Sequence, residues 1–215
     1  MGRHVVFITG GTGYIGSRLI PLLALRDCEV RALVRQGSES KLPSGCTSVI
    51  GNALDENAFV EHISPARTFI QLVGVPHPKP SKAAQFRAID LVSMRASVKA
   101  AIETKISHFI YLSVAQPAPV MQEYVQVRAE AESLLRKSGL NSTILRPWYV
   151  LGPGHRWPYL LAPVYWFLER FPQTRESARR LGLVTLRQML AALVHAVEHP
   201  AAGICTLEVP QICSF

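Results

Sequence analysis

The sequence predicts an α/β fold, a doubly wound parallel sheet in a single domain, on three observations. Short apolar runs of strand length alternate with longer segments of helical period, which is the pattern of βαβ units joined by right-handed crossovers. A glycine triplet, Gly10, Gly13 and Gly16, stands between the first apolar run and the first helical segment. The chain of 215 residues is 48% hydrophobic and 18% charged, with a mean hydropathy of +0.17. That is enough for one full core and too apolar for disorder.

The elements follow in order. His4 to Thr9 reads as a buried strand, and Tyr14 to Arg26 as a helix with Ile15, Leu19, Leu22 and Leu23 at helical spacing and Pro21 bending it. Glu29–Val34 and Thr47–Ile50 are the next strands; a helix near Asp55–Ile63 leads to a strand at Thr68–Val73. The proline loop Val75-Pro76-His77-Pro78-Lys79-Pro80 precedes a long helix from about Ser81 to Thr104. Strand His108–Ser113, helix Gln122–Lys137 and strand Ser142–Leu145 complete the alternation. Within the single 1–215 domain, residues 148–185 read as a small aromatic and basic substrate lobe, containing Trp148, Trp157 and Trp166. Thr185 with Gln188 forms a capping box for a helix from Leu186 to His199, and Ile204–Val209 adds a strand at the sheet edge.

Several classes are disfavoured. No apolar run approaches the roughly 18–20 residues that cross a membrane. The four-residue run after His4 is too short for a signal-peptide core, and Val6 stands where a myristoylation motif needs Ser or Thr. Cys28, Cys46, Cys205 and Cys213 lie far apart with no C-x-x-C pair, which argues against metal and disulfide frameworks and for reduced thiols in a cytoplasmic protein. The net charge of +8 is spread without a dense basic run, so an anionic small molecule explains it at least as well as nucleic acid.

The turn Thr9-Gly10-Gly11-Thr12-Gly13-Tyr14-Ile15-Gly16 carries the ligand signal. Gly10 permits a tight turn, Gly13 lets backbone approach a pyrophosphate, and Gly16 lets the helix pack closely. The helix start then offers N–H donors and a positive dipole to phosphate. An acid at the tip of the second strand would bind an unmodified ribose; this chain has Arg35 there, near Ser38 and Lys41. A guanidinium pairs with a 2′-phosphate, so NADP(H) is preferred over NAD(H).

These residues, with the A-L-V-R second strand, Y-L-S at the fifth, Y-x-x-x-R followed by A-E-A-E, T-I-L-R-P at the sixth and the Glu208-Val209-Pro210 ending, resemble the short-chain dehydrogenase/reductase superfamily. The similarity is to its extended and atypical branch of NAD(P)-binding, Rossmann-like epimerase/dehydratase-like proteins, NmrA-like forms among them, and it is strongest over residues 4–147. The resemblance implies catalytic roles for Ser113, for Tyr124 as general acid/base and for Arg128 at the usual lysine position. Tyr124 and Arg128 share a helical face, and a cation beside a phenol favours its ionised form. Arg128 keeps the charge but cannot exchange a proton as lysine does. Asp90 falls where extended members carry an Asn.

The resemblance also implies cofactor contacts from Gly10, Thr12, Gly13, Tyr14, Ile15, Gly16, Arg35, Asn52, Ala53, Leu72, Val73, Gly74, Arg128 and Pro147. Substrate candidates are His77, Trp148, Tyr149 and His155. The leading expectation is an NADP(H)-dependent oxidoreductase moving a hydride between nicotinamide and a small carbonyl, quinone-like or hydroxyl substrate, with no metal. The alternative is a non-catalytic NADP(H) sensor or assembly factor, for which the arginine and aspartate departures speak; a sugar-nucleotide epimerase or dehydratase ranks third. Contact with a membrane surface is a minority reading of the aromatic and arginine-rich lobe, and the expected assembly is a monomer or homodimer.

Overall fold

A computed structural model describes residues 3–154 and 180–215. Seven strands form one parallel sheet: β1 (His4–Thr9), β2 (Cys28–Val34), β3 (Cys46–Ile50), β4 (Thr68–Gln71), β5 (His108–Leu112), β6 (Ser142–Arg146) and β9 (Ile204–Glu208), in the order β3-β2-β1-β4-β5-β6-β9. The order reverses between β1 and β4, which places the switch point, and the cleft outside the strand ends, beside the glycine turn. β9 pairs with β6 from Ser142↔Ile204 to Arg146↔Glu208, as the expected edge strand.

Alternation along β1 divides the core into two faces. Phe7 faces one side and meets its direct neighbours in the ladder, with ring centroids 5.3 Å from Phe69, which is in turn 5.1 Å from Phe109. This face is covered by α3 (Val92–Glu103) and α4 (Gln122–Lys137). Val6 and Ile8 face the other side with Ile110 and Leu145, beneath α1 (Gly16–Ala24) and α5 (Leu186–Glu198). The capping box is present: Thr185 Oγ1 accepts from Gln188 N at 3.2 Å, and Gln188 Oε1 accepts from Thr185 N at 2.9 Å.

Three expectations are corrected. Asp55–Ile63 is not one helix but two 3₁₀ turns, Glu56–Ala58 and Val60–His62. The Asp55 carboxylate accepts from Asn57 N at 3.1 Å, and Phe59, at φ −148° between the turns, drops fully into the core beside Phe7. The long helix after the proline loop is also composite. A 3₁₀ turn, Pro80–Lys82, leads to α2 (Ala83–Gln85), a π-helical segment (Phe86–Leu91) and then α3. Finally, β7 (Tyr149–Leu151) and β8 (Leu183–Thr185) form a separate two-stranded parallel sheet, and Val209 starts a short helix, α6 (Val209–Cys213), rather than ending a strand. Most of the expected substrate lobe, with Trp157, Trp166 and His155, lies outside the described residues.

Candidate active site

The glycine turn is built as its sequence requires. Gly10 has φ +76°, and a Cβ there would stand 2.8–2.9 Å from the Leu72 and Val73 backbone, so the ends of β1 and β4 touch through it. A Cβ on Gly16 would collide with the Gly10 carbonyl. Gly13 N donates to Gly10 O at 3.0 Å and closes the turn, leaving Thr12 and Gly13 exposed. α1 then starts with no side-chain cap and no acidic residue in its first turn. Ser17 N and Arg18 N donate to Gly13 O at 3.0 Å and Ile15 O at 3.1 Å within the turn, and the positive end of the helix faces the exposed glycine turn, a cradle that fits a pyrophosphate.

Around the turn, Tyr14 receives Arg18: the guanidinium lies 4.3 Å from the ring centroid and donates to Tyr14 O at 2.7 Å. Ile15 is half-buried against the α1/α5 core. Arg35 is exposed at the tip of β2, with Ser38 N donating to its carbonyl at 3.0 Å. Asn52 is exposed too, but its amide oxygen accepts from Leu54 N at 3.1 Å in a local turn, while Ala53 packs against the core. Pro147 is buried and accepts from Ala115 N at 2.9 Å; Trp148 and Tyr149 meet edge to face at 5.5 Å. His77 is exposed in the proline loop at φ +49°, the left-handed region that costs a non-glycine residue strain.

Tyr124 and Arg128 are brought together. The Arg128 guanidinium stands 5.1 Å from the Tyr124 ring centroid, and the Phe86 ring of the π segment, tilted by 58°, has its centroid 5.0 Å from the same ring. Arg128 is not a surface residue, at 6% exposure. Its Nη1 donates to Leu112 O at 2.9 Å and to Tyr111 Oη at 3.2 Å, and its Nη2 faces Asp90 Oδ2 at 3.6 Å. The guanidinium also occupies the space a side chain at Gly74 would need. Asp90 Oδ1 accepts from Val75 N at 2.7 Å, fixing the chain where it leaves β4. From Asp90 a buried polar chain continues: Ser93 Oγ donates to Asp90 O at 3.1 Å, Gln71 Nε2 donates to Ser93 Oγ at 3.1 Å, and Thr9 Oγ1 bonds Gln71 Oε1. Burial pushes Asp90 above the usual carboxylate range, opposed by Arg128 and by the Val75 amide. Burial likewise pushes the Tyr111 hydroxyl up to about 12.

Ser113 belongs to a second network. Its hydroxyl donates to Glu132 Oε1 at 2.6 Å, one turn further along α4 than Arg128. Glu132, 2% exposed, also accepts from Gln116 Nε2 at 2.7 Å and from Arg146 Nε at 2.9 Å and Nη2 at 2.5 Å. Arg146 Nη1 donates to Glu208 Oε1 at 2.7 Å. The glutamate of A-E-A-E, the arginine of L-R-P and the glutamate of E-V-P thus converge behind Ser113. Sequence reasoning quoted all three motifs but did not place them together; two complementary charges on strand ends were the signal. No group of three or more metal-ligating side chains occurs among the described residues.

A parallel sheet of this order, with a glycine turn and a helix start at its switch point, is a Rossmann-like dinucleotide-binding fold. The family model described as NAD(P)H-binding matches residues 10–156, and the chain belongs to that family. Among curated relatives, a ceramide reductase of Caulobacter vibrioides is 26% identical over 95% of this chain and 64% of its own length. A 4-hydroxy-2-methyl-3-oxo-4-farnesyl-3,4-dihydroquinoline-1-oxide ketoreductase of Stigmatella aurantiaca is 22% identical over 68% of this chain and 50% of its own. The chain therefore spans about half to two thirds of the length of these relatives. The solved structure of Bordetella bronchiseptica WbmH with NAD+ shares the fold at a TM-score of 0.71 and 20% identity, covering 96% of this chain and 75% of that one. MoeE5 with UDP-glucuronic acid and NAD gives a TM-score of 0.72 at 19% identity, over 95% and 75%.

Proposed function

We propose that this chain is an NADP(H)-dependent reductase that delivers hydride to a small carbonyl or quinone-like substrate, with Tyr124 as the proton donor. The observation that carries the chemistry is the Tyr124–Arg128 stack at the cleft end of β5, one strand beyond the glycine turn's neighbour β4. The glycine turn and the start of α1 hold the pyrophosphate, and Leu72 to Gly74 border the ribose. Arg35 selects the 2′-phosphate, supported by Ser38 and Lys41. When bound, the nicotinamide supplies the hydride; the chain orients the acceptor and provides a proton where oxyanion charge builds. Reductase names among the relatives agree with this direction. The test is Tyr124→Phe in a carbonyl and quinone panel: turnover should fall by a factor of roughly 100 or more, the usual worth of a positioned acid, while NADPH affinity holds. Full turnover in that variant would remove the assignment.

A second reading is favoured by one specific contact. The Ser113 hydroxyl is engaged by Glu132, two helical turns from Tyr124, rather than by Tyr124 itself. That suits a protein that binds NADP(H) as a sensor or assembly factor without turning it over. Tight NADPH binding with no oxidation across the same panel would favour this reading.

A further inference from the structure

The face of the sheet opposite Tyr124 carries a groove of its own. On α5, Met189, Leu193 and Ala196 are buried in the core under that face. Leu186, Leu190 and Val194, each one helical turn from the next, form a second row. Across a cavity of about 590 Å³ this row meets Leu22 of α1 and Arg26 just past the end of that helix. The volume lies within the range of about 300–1,000 Å³ usual for small-molecule sites, which are mostly apolar with a few placed polar groups. Gly152 and Pro153, after β7, line the groove where α5 begins, because Leu151 and Thr185 are partners in the β7–β8 ladder. A side chain at Gly152 would collide with the Tyr14 hydroxyl, so this wall is seated against the glycine turn. Among the described lining residues there is no carboxylate, and the Thr185 hydroxyl is engaged in the capping box of α5. The charged lining is two arginines. Arg26 Nε pairs with Glu198 at 2.9 Å, whereas Arg187 is exposed and has no ion pair with any described residue. Arg187 stands in the first turn of α5, where the positive end of the helix adds to its charge.

We propose that this groove is a second binding site, for a single-chain anionic amphiphile of the fatty-acid class. The carboxylate pairs with Arg187 at the start of α5, and the alkyl chain lies between α5 and α1, against Leu190, Val194 and Leu22. Charge and shape both select this occupant. A guanidinium without a partner at one end of an apolar trough matches a carboxylate at one end of an alkyl chain. From Leu186 to Val194 the trough runs only about 12 Å along α5, which offers far less than the roughly 800 Å² on each side of a standard protein interface. The site lies across the sheet from Tyr124, and it stands apart from the reductase reading.

The test is isothermal titration calorimetry of the full chain with sodium decanoate below its micellar range. One site per chain is expected, with affinity falling about fourfold for each methylene removed on the way to hexanoate. Decyltrimethylammonium, with the same chain and the opposite charge, should bind about tenfold more weakly or worse. Arg187→Gln, a change at an exposed position, should weaken decanoate about tenfold and leave decanol unchanged. Leu190→Glu sets a carboxylate in the apolar wall and should abolish decanoate binding, with circular dichroism as the check on its fold. If that variant does not fold, the chain-length series and Arg187→Gln decide the matter by themselves. Hexanoate binding as tightly as decanoate, decyltrimethylammonium binding as tightly as decanoate, or an Arg187→Gln protein that binds decanoate like wild type would each overturn the proposal. So would the absence of binding; joined to a sedimentation mass of two chains that drops to one in Leu190→Glu, it would give the groove to a second copy instead.

Discussion

At the scale of single residues, the two ends of the sheet do different work. At the cleft end, Arg35 is exposed and free to meet a phosphate. Arg35→Ala should weaken NADPH binding about tenfold, the worth of a charge-assisted hydrogen bond, and leave NADH binding nearly unchanged in a paired titration. Equal losses for both would remove the proposed NADP preference. At the opposite end His108 is fully buried, its Nε2 paired with Thr143 Oγ1 at 3.0 Å. Burial, and the charge on nearby His4, push it from 6.5 down to about 4. Below pH 6.5 the unfolded chain takes up a proton that the fold refuses, so stability falls as the solution is acidified. The loss should reach about 2 kcal/mol at pH 5 and level off below pH 4. Urea unfolding at pH 7.5 and pH 5 measures it, and His108→Asn should flatten the dependence.

At the scale of elements, those with strong chemical punctuation were readable from the chain alone. α4 runs from Gln122 to Lys137 as expected, and α5 starts after its Thr185/Gln188 box. Thr185→Ala should cost about 1 kcal/mol, seen as a lower urea midpoint, because it frees one amide at the start of α5. Gln188 carries a further duty that no local pattern shows: its Nε2 donates to Cys213 O at 2.9 Å and ties α5 to α6. Elements decided by tertiary packing were not readable. The 3₁₀ turns at 56–62 exist because Phe59 must enter the core, and a helical period cannot announce that. The π segment is similar. Its composition suits an α-helix, and what it accomplishes is to bring Phe86 to Tyr124 and Asp90 to Val75 and Arg128. β7 and β8 are three residues each and pair across more than thirty positions, leaving almost no local trace.

At the scale of the whole molecule, the parallel sheet, its switch point and the glycine turn all follow from the order of apolar runs. The turn was the most legible part of the site because close backbone approach admits only glycine, so the sequence states the geometry directly. The depth of Arg128 was not legible: spacing on a helix says which face a residue takes, not how much chain lies over it. Nor was the meeting of Glu132, Arg146 and Glu208, since β9 lies far along the chain from α4. That meeting has a mechanical consequence. Consecutive positions at the end of β5, Leu112 and Ser113, are gripped by consecutive turns of α4, through Arg128 and Glu132. Strand residues advance about 3.3 Å each and helix turns about 5.4 Å, so the two scales coincide at a single alignment, as the divisions of a vernier do. Sliding α4 along the sheet would break both grips at once. This wall of the cleft is therefore locked in register with the sheet by two adjacent side chains of one helix.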